Sequence, residues 1–428
     1  MRVEDNFVID SKHNFHQKAL QWAAQFDEVA YLHSNEHMDQ WSAFDCLIAV
    51  QAIAQYTSTD QHSLREVQQF ISDHPHTYIP GFLSYDLKNE IEELQTHHVD
   101  RLEFPLAYFF IPAITIKIIE NTVWINAEKP DEIFRAILAL ELKNEVVGFD
   151  GQVQTRWTKE EYLAAFHNMQ DHIQRGDIYE VNLCQEFYAE HVQLNPLAAF
   201  EKLNLISPTP FAAFFKFQDK YILSASPERF LAKRNRQLIS QPIKGTAKRG
   251  FTDEEDQQII QEMLNSKKEI AENVMIVDLV RNDLTRSAVP KSVKADHLFE
   301  IHTFKLVHQM ISTITCEISP DVSDIEVIKN TFPAGSMTGA PKIAAMQICD
   351  QVEANRRSLY AGSIGYFDPN GNFDFNVVIR TILYNAQNKY LSFQTGGAIT
   401  IQANAEDEYQ ECLLKANGML KVLDTHIQ

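Results

Sequence analysis

The chain is 428 residues long, 45% apolar and 22% charged, a composition that fits a soluble globular protein with two or three domains' worth of core, or one unusually large domain, and excludes wholesale disorder. Its 38 basic and 58 acidic residues leave a net charge of −20, which argues against nonspecific nucleic-acid binding. An anionic ligand must then be held by a few placed cations or by a metal.

The first residues, "MRVEDNFVID", have no apolar stretch of the signal-peptide kind. The five cysteines (Cys46, Cys184, Cys316, Cys349 and Cys412) are scattered with no CxxC, which suits reduced thiols in a cytoplasm. "FPLAYFFIPAITIKII" (104–119) is broken by two prolines and a lysine and is too short to span a bilayer, so it reads as buried strands. The least patterned stretch, 140–162, divides the chain into an N-terminal region (1–150) and the remainder (151–428). There is no internal repeat.

"TKEEYLAAFHNMQDHIQRGD" reads as a helix: Thr158 and Glu161 form a capping box, Tyr162, Phe166, Met169 and Ile173 an apolar face, and Gly176 the stop. Short alternating runs follow, "EVNLCQEFYAE" and "YILSASPERFLAKR" among them. In "QPIKGTAKRG" (241–250) Lys244 stands between Pro-Ile and Gly-Thr, as if in a tight turn. It is either a solvated loop lysine or a clamped nucleophile. A long helix is expected from Asp253 to about Asn282, with Glu269 and Glu272 on one face.

"PAGSMTGAPK" (333–342) is not a nucleotide P-loop, because Ala340 and Pro341 separate the last glycine from its lysine and Ile343 follows where a hydroxyl is needed. A glycine-rich turn whose amides and Thr338 face another anion remains open. Two strands flank the "DPNGN" turn within 361–385, a strong hairpin signal. Arg380 lies among apolar neighbours in "FNVVIRTILY", either as a salt-bridge partner or as a carboxylate clamp. A strand over 389–401 and a helix over 405–423 close the chain. In that helix Glu408, Glu411 and Lys415 share a face, either solvated or offering oxygens to a hard cation such as magnesium. Hairpins with segregated helices indicate α+β with antiparallel sheets.

Taken together, "SPERF" (226–230), "PIKGT" (242–246), "AENVMIVDLVRNDL" (271–284), "FPAGSMTGAPK" (332–342), "YAGSIGYF" (360–367), "IRT" (379–381), "GGAI" (396–399) and "EYQECLLKA" (408–416) resemble the chorismate-utilising enzymes: anthranilate synthase component I, aminodeoxychorismate synthase component I, and the isochorismate and salicylate synthases. The segments keep the family's order across about residues 155–425. "YLHSN" (31–35) and "GFLSYDL" (81–87) are similar to the aminodeoxychorismate branch. The resemblance implies two large antiparallel β-sheets packed as a sandwich with flanking helices, and a chorismate-binding catalytic domain over 151–428.

In that branch the "PIKGT" lysine is a covalent nucleophile, whereas anthranilate synthases commonly carry alanine there, so the resemblance makes Lys244 the nucleophile. An unperturbed lysine is neutral in about one copy in 2,500 at pH 7. Desolvation or a nearby cation is therefore expected to lower its pKa. By the same resemblance Glu228 is the acid that protonates the departing ring hydroxyl. Glu272 and Glu411 are the Mg2+ carboxylates, with Glu269 and Glu408 beside them. Gly245, Thr246, Tyr360, Arg380, Gly396, Gly397 and Lys415 contact the substrate. A tryptophan pocket in this branch corresponds to Ser34, Trp41, Ser42, Ala43, Phe44, Pro210, Phe211 and Ala212, residues that also suit a plain core.

Two positions depart from the family. Gln309, preceded by His308, stands where many members have histidine. Glu180 stands where the isochorismate and salicylate synthases have their water-activating lysine, which favours ammonia over water. The resemblance thus implies ammonia-dependent formation of 4-amino-4-deoxychorismate in the cytoplasm, with ammonia from a glutamine amidotransferase, on the route to 4-aminobenzoate and folate. Anthranilate synthase component I and a non-catalytic chorismate- or tryptophan-binding regulatory protein are the alternatives.

Overall fold

Twenty strands in the computed structural model, which describes residues 2–58, 62–305 and 307–427, form two antiparallel layers joined at one long strand. The first layer runs Val3–Val8, Thr122–Ala127, Ala107–Ile119, Cys46–Thr57, Glu28–His33, Phe211–Phe217, Lys220–Ser226, Thr381–Asn385, Tyr390–Ile399 and Glu180–Glu190, to which the two-residue strands Gln154–Thr155 and Gly339–Ala340 also pair. The second begins where Ile79–Leu83 pairs with the start of Ala107–Ile119. It continues through Ser363–Phe367, Phe373–Asn376, Arg229–Arg234, Gln237–Gln241 and Val307–Glu317, and Val307–Glu317 also pairs with Ile243–Lys248 and Lys294–Thr303.

The amino-acid pattern explains the stacking. In "FAAFFKF" (211–217), Ala213, Phe215 and Phe217 join Phe82, Tyr108 and Phe110 in an aromatic core between the layers, while Ala212 and Phe214 turn outward to the helices. A strand covered on both faces is apolar throughout instead of alternating, and the same rule accounts for the run 104–119. The outer face of the first layer carries the helices Lys12–Ala23, Pro130–Ala139, Lys159–Arg175, Pro196–Ile206, Lys342–Val352 and Ala405–Val422. That of the second carries Ser63–Asp73, Lys267–Thr285 and Asp324–Thr331. The architecture is the expected α+β sandwich with flanking helices. Strands from residues 3–127 enter the same first layer as strands after 180, and residues 140–152 carry no helix or strand.

Most local signals hold. Thr158 and Glu161 form the capping box of Lys159–Arg175, and Gly176 ends that helix at φ +83°. The "DPNGN" turn joins two paired strands. The expected long helix is instead two, Asp253–Asn265 and Lys267–Thr285, because Ser266 leaves helical geometry and its hydroxyl caps the second by accepting from the Glu269 amide. All five cysteines are buried free thiols, and among the described residues no helix is long and apolar enough to cross a membrane.

Candidate active site

The site lies where the chain passes between the two layers. Glu228 sits on the crossover from Lys220–Ser226 to Arg229–Arg234, and Arg380 on the return crossover from Phe373–Asn376 to Thr381–Asn385. The two crossovers run side by side, with the Glu228 carbonyl accepting from the Val377 amide and the Arg380 carbonyl from the Ala225 amide. Arg380 is therefore not within a continuous strand, as its alternating neighbours suggest, but at a kink with φ +51°. Among the described residues its guanidinium has no hydrogen bond or ion pair. Burial pulls its pKa down, with the Glu228 charge opposing. A partly buried cation left without a partner suits an incoming carboxylate.

Lys244 is not in a turn either. It lies in the strand Ile243–Lys248, whose register against Val307–Glu317 slips between Ile243 and Thr246. Gly245 occupies that bulge at φ +92°. Such bulges re-aim a side chain, and here Lys244 Nζ donates to Glu180 Oε1 at 2.7 Å, with both side chains nearly closed to solvent. Among the described residues Glu180 Oε2 is buried without a hydrogen-bond partner.

The expectation of a lowered lysine pKa fails. Burial does act to lower it, but Glu180, Glu272 and Glu228 outweigh burial and raise it. Lys244 is thus an ammonium in an anionic pocket with its proton acceptor already hydrogen-bonded. Glu228 shows the opposite balance: burial pushes its carboxyl up to about 7, against Ser336, Lys244 and Arg380. Ser336 Oγ donates to Glu228 Oε1 at 2.6 Å. A buried acid protonated near neutrality can donate to a leaving oxygen.

The two acidic helix faces meet. Glu272, on Lys267–Thr285, and Glu408, on Ala405–Val422, both lie within 4 Å of Lys268 Nζ, at 3.9 and 3.8 Å. Glu272 is pushed up to about 7 by burial, against Lys244 and Lys268, and among the described residues its Oε1 has no hydrogen-bond partner. Two glycines make room for the acids. A Cβ on Gly245 would sit 2.7 Å from Glu269 Oε2, and one on Gly397 would overlap Glu408 Oε2. Lys415 Nζ donates to the Gly396 carbonyl at 2.8 Å and pairs with Glu411 at 2.8 Å. Among the described residues no three metal-ligating side chains are pre-assembled. The orphaned Glu272 oxygen and the facing carboxylates nevertheless fit a cation such as magnesium, which takes one or two protein carboxylates and completes its shell with substrate oxygens and water.

Other expected residues fall outside this cluster. Tyr360 is a buried phenol whose pKa is raised by burial and by Cys184. Thr338 is buried, donating to the Gly335 carbonyl at 3.1 Å and accepting the Asn182 amide at 2.8 Å. Thr246 is exposed, opposite Gln309 in register. Gln309 keeps a buried Oε1 without a partner, whereas His308 points away, bonded to Asp256 and Thr303. Lys342 is spoken for by Asp283 and the Thr331 carbonyl.

The residues expected for a tryptophan pocket lie elsewhere. Ser42 and the Trp41 amide bond Asp39, which pairs with Arg229 at 2.6 Å. Phe211 lies under the Arg229 guanidinium, and Phe44 packs on Tyr366. Ala212 pairs with His33 in register, Ala43 is exposed, and Pro210 precedes the strand Phe211–Phe217. The Ser34 hydroxyl is buried without a partner. Sequence reasoning missed the roles of Ser336 and Lys268 and the Glu180–Lys244 pair. Only Lys268, one turn before Glu272, carried a local signal.

A chorismate binding enzyme profile matches residues 12–421. An aminodeoxychorismate synthase of Streptomyces griseus is 42% identical over 276 residues, which are 64% of this chain and 38% of that protein. An aminodeoxychorismate synthase component 1 of Klebsiella aerogenes is 34% identical over 361 residues, 82% of this chain and 79% of that protein. The chain thus spans well under half of the first relative and about four-fifths of the second. The crystal structure of anthranilate synthase component I from Streptococcus pneumoniae TIGR4 superposes with a TM-score of 0.76 at 24% identity, covering 90% of this chain and 94% of that one.

Proposed function

The chain belongs to the chorismate binding enzyme family, and on that premise we propose that it converts chorismate and ammonia to 4-amino-4-deoxychorismate, the precursor of 4-aminobenzoate for folate, in the cytoplasm. The observation that carries this reading is Lys244, buried and aimed by its bulge into the pocket that also holds Glu228.

The Lys244 ammonium first cedes a proton, for which Glu180 is the adjacent acceptor. The free amine bonds to ring carbon 2, the two ring double bonds shift, and the carbon–oxygen bond at carbon 4 breaks. Glu228 gives its proton to the departing hydroxyl, which leaves as water. Ammonia then bonds to carbon 4, the double bonds shift back, and the carbon 2–lysine bond breaks. Splitting one hard substitution into two steps is the advantage of the covalent intermediate. Arg380 and Lys415 hold substrate carboxylate or hydroxyl groups, with Gly396 and Gly397 keeping the floor low. Magnesium, held by Glu272 and Glu411 with Glu269 and Glu408 beside them, would fix a chorismate carboxylate and withdraw electrons from the ring.

Product identification after incubation with chorismate, magnesium and ammonium tests the reading. The expected product is 4-amino-4-deoxychorismate, with a chorismate-derived adduct on the Lys244 peptide when ammonia is withheld. Anthranilate from the unaltered chain, or wild-type rates from Lys244→Ala, would overturn it. We take the ammonia source to be a glutamine amidotransferase subunit: glutamine should support turnover only when that subunit is added.

A further inference from the structure

Lys268 stands one turn before Glu272 on the same helix, and its ammonium also reaches Glu408 on the C-terminal helix. One cation therefore spans the two acid-bearing faces. The carboxylates are nearly closed to solvent, at 13% and 5% exposure, whereas the lysine side chain is 56% exposed. Its ammonium reaches inward from water on a flexible stem, and at 3.8–3.9 Å it is beyond hydrogen-bond length from either acid. It faces a site whose other nearby cations are already engaged, Lys244 by Glu180 and Lys415 by Glu411 and the Gly396 carbonyl.

We propose that Lys268 is a tethered counter-cation of the acidic site: without metal its ammonium holds the Glu272 and Glu408 carboxylates together across the helix junction, and a divalent cation binds by displacing it into solvent. The inference rests on the magnesium reading above. The physical reason is competition. A divalent ion needs the same oxygens at about 2 Å, and an ammonium within 4 Å of them repels it. The long stem gives the lysine somewhere to go, since its charged end is readily solvated once the stem swings outward. Lys268 thereby lowers magnesium affinity while preventing mutual repulsion of the acids in the metal-free chain.

Calorimetric titration of the full chain with magnesium, with and without chorismate, together with thermal unfolding of the metal-free protein, tests this independently of turnover. Lys268→Met should bind magnesium roughly three- to tenfold more tightly, the scale of two solvent-touched ion pairs. Its metal-free Tm should fall, and saturating magnesium should recover it. Lys268→Arg should behave like the parent in both respects, and Lys268→Gln provides the same charge removal should the methionine variant fold poorly. Unchanged or weaker magnesium binding by the neutral variants, with normal binding by the parent, overturns the counter-cation role alone. No magnesium binding by the parent under either condition overturns the metal reading and this inference with it.

Discussion

Glu228 links catalysis and stability through one proton. Burial pushes its carboxyl up to about 7 from an ordinary 4.5, so between those values the folded chain binds more protons than the unfolded one. Stability then falls as pH rises through that window and stays lower above it. Glu272, shifted the same way, adds to the trend. Glu228→Gln should be inactive yet more stable than the parent at about pH 8, by up to roughly 3 kcal/mol, and the difference should vanish toward about pH 5. Urea unfolding at both pH values checks this. In the parent, kcat/KM should decline as pH rises past about 7, as the acid loses its proton. Arg380 lends itself to a separate test. A partly buried guanidinium with no protein partner among the described residues would, as a clamp on a substrate carboxylate, contribute to binding on the scale of a charge-assisted hydrogen bond. Arg380→Met should therefore raise KM for chorismate about tenfold or more, with a smaller change in kcat, as steady-state kinetics would read.

At the level of elements, the site depends on where helices begin and where backbone approaches side chain. Ser266 both ends one helix and caps the next, the one that carries Glu269 and Glu272. Ser266→Ala should cost about 1 kcal/mol, measurable by thermal unfolding, and should weaken magnesium binding by loosening the first turn. Gly397 leaves room for Glu408 against the strand Tyr390–Ile399. Gly397→Ala places a methyl in the space of that carboxylate, so calorimetric titration should show impaired magnesium binding while far-ultraviolet circular dichroism stays unchanged.

For the molecule as a whole, the layers and the site loop are tied by charges far from solvent. Arg357 is fully buried and donates to Glu353, to the Met337 carbonyl at 2.7 Å and to the Asn182 carbonyl at 2.9 Å. Glu353 also accepts the Cys184 amide at 3.0 Å. One ion pair thus fastens the strand Glu180–Glu190, which carries Glu180, to the loop that carries Ser336. Arg357→Met strands a buried carboxylate and two carbonyls, and should destabilise the fold by about 3–5 kcal/mol. Equilibrium denaturation is the measurement.

Local chemistry alone determined a good part of this protein. The capping box of Thr158, the hairpin at "DPNGN", the buried apolar run 104–119 and the acidic face of the last helix are legible because each depends on residues only a few positions apart. The α+β class followed from the same signals, while the sandwich and the candidate site list followed from the family resemblance. Tertiary structure decided the rest, because it depends on residues far apart in the chain. Lys244 is paired with Glu180, 64 positions away, which together with Glu272 and Glu228 reverses the expected direction of the lysine's pKa. Ser336 reaches Glu228 across 108 positions. Arg380 owes its kink to the crossover between layers, which periodicity cannot register. Whether two acidic faces meet is likewise a matter of helix docking, since a charge's energy depends on its distance to every other charge and to water, and only the folded chain sets those distances.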